Sequence, residues 1–187
     1  MPHLHKALSL AARRQKISKI VKISELNYIC SMNDRVAKIY LDTSVFGGFY
    51  DSDFEEETQI LFEKIKLGQF QVVYSNTTEE ELLGAPERVQ KLLPNLSESL
   101  KTRVELTEEA VNLADTYLVE NVVGRTSRSD CFHIAMATIY EVDILVSWNF
   151  KHIVNVKRIR GYNAVNMKLG YRTIDIRSPK EIIYNED

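Results

Sequence analysis

Three short apolar runs rich in β-branched residues constrain this chain most: AKIYLD (37–42), FQVVYS (70–75) and VDILVS (142–147). Each is too short for a buried helix and reads as a buried strand. Stretches with helical spacing separate them. Residues 54–67 place Leu61, Phe62 and Ile65 on one face and stop at Gly68, and residues 107–122 repeat Ala110, Leu113, Ala114, Tyr117 and Leu118 before Gly124. A third helix, 129–140, leads straight into the run at Val142. The final TIDIRSPKEII (173–183) reads as a short edge strand and a helix starting near Pro179. Strands that alternate with helices pack as a parallel sheet covered on both faces. The expected class is therefore α/β, a three-layer α/β/α domain with a central, mainly parallel sheet.

The 187 residues, 44% hydrophobic and 27% charged, suit one compact domain with a sizeable core. No apolar run is long enough to span a bilayer, and the stretch 4–12 is too short and too soon followed by Arg13, Arg14 and Lys16 for a signal peptide. A soluble, cytoplasmic protein with no membrane partner is expected. Cys30 and Cys131 lack CxxC spacing, so inert thiols fit better than a disulfide or a cysteine zinc site. His3 and His5 form an HxH pair without further ligands nearby, and no zinc is expected.

The small net charge of −2 hides an uneven distribution. Residues 1–36 carry seven Lys/Arg against two acids, residues 37–150 nine against twenty, and residues 151–187 eight against four. Solvated helix faces would produce this pattern, and so would an acidic metal site flanked by basic segments that approach a polyanion. Residues 1–36 fit the strand–helix alternation poorly. They read as a basic N-terminal extension, either an amphipathic helix (Leu4, Leu8, Ala11, Ala12, Ile17, Ile20, Val21) that packs on a partner or an upstream stretch of a reading frame that begins at Met32. The main domain would then span 37–187.

In open α/β sheets the ligand site lies beyond the carboxyl ends of the strands. Asp42 ends the first strand, Asn149 follows the last run by two positions, Glu79, Glu80 and Glu81 follow the second strand across a short polar turn, and Asp130 opens the third helix. Four separate segments thus deliver oxygen donors to one sheet edge. Carboxylate and amide oxygens suit a hard cation, Mg²⁺ or Mn²⁺. Each residue also has a plainer reading. Glu81 stands three after Thr78 and Glu80 three after Thr77, the spacing of a capping box, and Asp130 in a first helical turn is favoured by the helix dipole alone.

The segments YLDTSVFGG, SNTTEEEL, SDCFHIAMAT and DILVSWNFKHIVN together resemble the successive signature segments of the PIN-domain nuclease family, over roughly Ala37 to the C-terminus. The resemblance implies a three-layer fold that gathers acids at the sheet edge, binds one or two Mg²⁺ or Mn²⁺ ions and hydrolyses RNA phosphodiester bonds to a 5′-phosphate and a 3′-hydroxyl. Many prokaryotic members are toxins of type II toxin-antitoxin pairs, so an antitoxin partner and a homodimer are implied too. By position, Asp42 matches the first acid, Glu81 the second, with Glu80 in reserve, and Asp130 the third; these three are the expected metal ligands. Asn149 takes the fourth catalytic position, where many members have an aspartate. Its amide oxygen can still bind a cation but brings no charge, which leaves the second metal open. The alternative is a catalytically weak PIN-like domain that binds nucleic acid or a partner.

Around this set, Thr43 and Ser44 are expected to orient the Asp42 carboxylate or a bound water. Gly47 and Gly48 read as a plain tight turn, and His133 as a packed core histidine with a secondary claim as a partner of Asp130. Trp148 and Phe150 read as apolar anchors of the Asn149 loop. Lys151, His152, Lys157 and Arg158 are candidates for meeting substrate phosphates, with Tyr162 available to stack on a base. A solvated helix with Ile159 and Val165 packed inward would have the same composition.

Overall fold

The computed structural model describes residues 35–184; the expectations for the N-terminal extension, His3, His5 and Cys30 lie outside them. Five strands form one wholly parallel sheet: β1 (Ala37–Leu41), β2 (Phe70–Ser75), β3 (Lys101–Val104), β4 (Ile144–Val146) and β5 (Asp175–Arg177), in the order β3-β2-β1-β4-β5. β1 is central. The chain steps outward through β2 and β3, then returns to the other side of β1 for β4 and β5, so the topological switch point falls between β1 and β4.

Eight helices are described: α1 (Thr43–Gly48), α2 (Glu55–Lys66), α3 (Asn76–Leu82), α4 (Glu87–Gln90), α5 (Glu108–Val119), α6 (Arg128–Ile139), α7 (Val156–Lys168) and α8 (Pro179–Tyr184). The period of two along the strands divides the core. Ile39, Leu41, Val72 and Val146 pack with α1, α2 and α8, while Tyr40, Val73 and Leu145 pack with α5, α6 and α7. The result is a three-layer α/β/α domain built on a wholly parallel sheet. Among the described residues no helix is long and apolar enough to cross a membrane.

Local chemistry explains the elements the sequence pattern did not reveal. NTTEEEL is not a polar turn. It is α3, running directly from β2, with Ser75 as the N-cap: its hydroxyl accepts from the Thr78 N–H at 3.2 Å and the Thr78 hydroxyl bonds back to the Ser75 N–H. The capping box thus uses Ser75 and Thr78, and neither Glu80 nor Glu81 is needed for it. Gly47 and Gly48 do not form a tight turn either, since both lie in the last turn of α1. A Cβ on Gly48 would stand 2.7 Å from the Trp148 indole, whereas one on Gly47 would meet nothing within 4 Å. Only Gly48 is required by a close approach. β3 is an edge strand, its KTRV sequence mostly facing water, and lacks the apolar signature that marked the other strands.

Candidate metal centre at the switch point

Asp42 is the N-cap of α1, and its backbone N–H donates to the Val146 carbonyl at 3.0 Å, which ties the ends of β1 and β4 together. The carboxylate is 5% exposed. Its Oδ2 accepts from the Ser44 hydroxyl at 2.5 Å and from the Ser147 hydroxyl at 2.7 Å, one from each side of the switch point. Those two hydroxyls also accept backbone N–H groups of Trp148 and Asn149, at 3.0 and 2.9 Å. The loop after β4 is therefore stitched to the carboxylate that the end of β1 carries.

The three consecutive glutamates of α3 point in three directions. Glu79 pairs with Arg103 of β3 at 2.8 Å, Glu80 is exposed, and Glu81 turns into the crevice. Glu81 accepts from the Thr43 hydroxyl at 2.5 Å, from the Ser129 hydroxyl, and from His133 Nε2 at 3.1 Å. Partial burial pushes its pKa up, but the hydrogen bonds and charge of His133, with Ser129 and Thr43, prevail and lower it to about 2. Thr43 and Ser44 thus serve different acids, Glu81 and Asp42 respectively.

His133 is both a core histidine and a member of the site. Its ring is 1% exposed, and its Nε2 lies 3.1 Å from Glu81 Oε2 and 3.6 Å from Asp42 Oδ1. Its Nδ1 is 2.9 Å from the Tyr40 hydroxyl, which in turn is 2.7 Å from the Ser75 hydroxyl. Burial alone would lower the imidazole pKa; Tyr40 and the two carboxylates raise it well above the ordinary value instead. One ligand atom each from Asp42, Glu81 and His133 lie within 4.8 Å of one another. Sequence reasoning treated Tyr40, Ser129 and Ser147 as ordinary residues. The usable signal was period two: Tyr40 and Asp42 share a face of β1, and that face is the one α6 covers.

Asp130 lies outside this tight group, in the first turn of α6. Its Oδ1 accepts from the Asn149 side-chain amide at 2.8 Å. The Asn149 oxygen is already engaged, accepting the His152 N–H at 3.0 Å. Asn149 therefore presents an N–H donor to Asp130, and its oxygen faces away from the site. Burial raises the Asp130 pKa, the charge of Asp42 adds to the rise, and His152, His133 and the nearby Ser127 hydroxyl oppose it without cancelling it.

The basic segment is less open to a substrate than its composition suggests. Lys151 and Lys157 are exposed, but Arg158 donates to the Lys151 carbonyl at 3.1 Å and to the Val122 carbonyl at 2.7 Å, bracing α7. Tyr162 is fully buried and donates to the His152 carbonyl at 2.9 Å, so its ring is not free to stack on a base. His152 is partly exposed, its backbone clamped by Asn149 and Tyr162, and its Nδ1 is buried without a hydrogen-bond partner. Trp148 anchors its loop, stacked on Phe54 at 4.6 Å and donating to the Thr58 hydroxyl at 2.9 Å, while Phe150 is 49% exposed.

The donor set fits a divalent cation: three carboxylates and an imidazole gather at one crevice, and the other polar partners of the carboxylates are hydroxyls and a carboxamide. No protein-family model matches the chain, and no curated protein matches it. Among solved structures, it is similar to a chain of VapBC2 from Rickettsia felis bound to a DNA fragment from their promoter. The identity is 10%, the coverage 75% of this chain and 98% of that one, and the TM-score 0.45. Nothing about this chain's chemistry follows from so distant a likeness.

Proposed function

We propose that the protein is a divalent-metal-dependent endoribonuclease. The observation that carries this reading is the convergence of Asp42 and Glu81 with His133, and of Asp130 beside them, at the carboxyl edge of a parallel sheet. Asp42, Glu81 and Asp130 would hold Mg²⁺ or Mn²⁺. When bound, such an ion supplies Lewis-acid charge at a phosphate oxygen and lowers the pKa of water. The chain's own residues do the rest. Ser44, Ser147, Thr43 and Ser129 fix the carboxylate orientations, and Asn149 orients Asp130 through its N–H. Lys151, Lys157 and the open edge of His152 stand where the phosphates of an RNA strand could be met.

The role as the toxin of a type II toxin-antitoxin pair, with an antitoxin partner, a homodimer and a cytoplasmic location, rests on the resemblance of the four sequence segments to PIN-domain toxins. A second reading, a PIN-like domain that binds RNA or a partner with little catalysis, is favoured by Asn149, which brings no charge and has its oxygen engaged elsewhere. Cleavage of a mixed set of labelled RNAs with Mn²⁺ or Mg²⁺ separates the two. Cutting that disappears with EDTA and in Asp42→Ala supports the nuclease; RNA binding without cutting under all conditions supports the second reading.

A further inference from the structure

We propose that His133, through Nε2, is itself a donor to the divalent ion, and that this nitrogen makes the crevice a site for first-row transition ions such as Mn²⁺ in preference to Mg²⁺. The proposal rests on the reading of the crevice as a metal site and names the ion that site selects.

The geometry has three parts. First, Nε2 addresses oxygens of two different carboxylates: it is hydrogen-bonded to Glu81 Oε2 at 3.1 Å and lies 3.6 Å from Asp42 Oδ1. Donors that share an ion through bonds of about 2.1 Å are separated by roughly 3.0 to 3.5 Å, a range that the Glu81 distance meets and the Asp42 distance exceeds by about 0.1 Å. Second, the ring is held from behind. Histidine ligands characteristically use their other nitrogen to bond a protein group that fixes tautomer and orientation. Here Nδ1 meets the Tyr40 hydroxyl at 2.9 Å, with the two rings edge to face at 5.7 Å, and Tyr40 is anchored by Ser75 inside a fully buried network. Third, the ring cannot swing to solvent, since His133 is 1% exposed and lies between β1 and α6. With Nδ1–H donated to Tyr40, Nε2 can exchange the proton it shares with Glu81 for a cation that both carboxylates hold.

The ion choice follows from donor softness. Mg²⁺ demands an octahedron of oxygens and keeps its waters, while imidazole favours the later divalent ions, so a mixed nitrogen and carboxylate set tilts the site away from Mg²⁺. Asp130 stands just outside the tight group and would act on the ion's remaining positions.

The test is pulsed EPR of Mn²⁺ added to the RNA-free protein, read for ¹⁴N coupling, with calorimetric titrations of Mn²⁺ and Mg²⁺ on the wild type, His133→Gln and Tyr40→Phe. The expected result is directly coordinated ¹⁴N in the wild type that vanishes in His133→Gln, whose carboxamide oxygen keeps a hard donor. The ratio of Mn²⁺ to Mg²⁺ affinity should fall at least tenfold in that variant. Tyr40→Phe should keep the ¹⁴N signal while binding Mn²⁺ about 10–100-fold more weakly, the range for loss of a ligand's outer partner. Bound Mn²⁺ without ¹⁴N coupling, or coupling that persists in His133→Gln, overturns the proposal and leaves the metal nuclease standing. No Mn²⁺ binding at millimolar concentration overturns both. If His133→Gln fails to fold, the wild-type spectrum and the Tyr40→Phe affinity decide alone.

Discussion

Glu81 and Asp130 face the same crevice from α3 and α6, yet one carboxylate is surrounded by donors and the other is not. Glu81 is bonded by hydroxyls from two elements and by an imidazole, and its pKa is driven down to about 2. Asp130 accepts from the Asn149 amide, and burial raises its pKa against the opposing Ser127 hydroxyl. Asp42 belongs with Glu81, gripped by Ser44 and Ser147. The contrast teaches that acids sharing one crevice need not have the same duty. Glu81 is organised to hold its charge, and Asp130 holds its charge less firmly.

The largest effect should come from breaking the first side. Asp42→Ala removes one of the proposed ligands outright, so Mn²⁺ affinity and RNA cleavage should fall by more than the roughly 10–100-fold that loss of an outer partner costs. Asp130→Ala should cost less in affinity. Calorimetry and cleavage assays on both variants check the order, and equal losses would break the contrast.

Next comes the second side. Asn149→Asp keeps an acceptor for the His152 N–H but replaces the amide that faces Asp130 with an ionised oxygen. The lost hydrogen bond and the new repulsion should destabilise the metal-free protein by about 1–3 kcal/mol. A divalent ion should recover more stability in this variant than in the wild type. Melting curves in EDTA and in Mn²⁺ measure both effects.

The glycines of α1 test how the sides are joined. Gly48→Ala pushes against an indole already stacked on Phe54 and bonded to Thr58, an overpacking worth about 1–3 kcal/mol, and it should disturb the loop that carries Asn149. Gly47→Ala has open space in the same helix and should stabilise by about 0.5–1 kcal/mol. Opposite signs from adjacent positions, read by chemical denaturation, would establish that the Trp148 contact governs this helix.

What was legible in the sequence was periodic. The strands 37–42, 70–75 and 142–147 appear within two residues of their places because buried parallel strands are continuously apolar. The helices 54–67 and 129–140 appear because their buried faces recur. β3 was not legible, since an edge strand such as KTRV needs no apolar face. α1 and α3 were not, because helices of six and seven residues show less than two turns of pattern and carry glycines or consecutive acids. Asp42 and Glu81 were readable as crevice acids from their positions after β1 and β2, and Asp130 from its place at the start of a helix. Their partners were not, because Ser129 and Ser147 are chemically ordinary and acquire meaning only when α6 and β4 bring them to Glu81 and Asp42.

The smallest predicted effect sharpens the contrast most, because it reads the Asp130 side without the metal. A carboxyl group whose folded pKa is raised binds its proton more tightly in the folded chain than in the unfolded one. Stability contributed by such a group therefore falls as pH rises through its unfolded value, near 3.8, and continues to fall until the folded pKa is passed. At neutral pH ionised Asp130 is a net burden on the metal-free fold. Asp130→Asn keeps an oxygen for the Asn149 amide and removes the charge, so in EDTA at pH 7 it should be more stable than the wild type, by less than about 1 kcal/mol given partial solvent screening. Below about pH 3.8 the difference should vanish, because the wild-type group is then neutral in both states. Saturating Mn²⁺ should reverse the order, since an ion bound better by the wild type stabilises it by mass action. A variant that melts lower in EDTA at every pH would make Asp130 a structural partner of Asn149, and the division of the crevice into two kinds of carboxylate would fail.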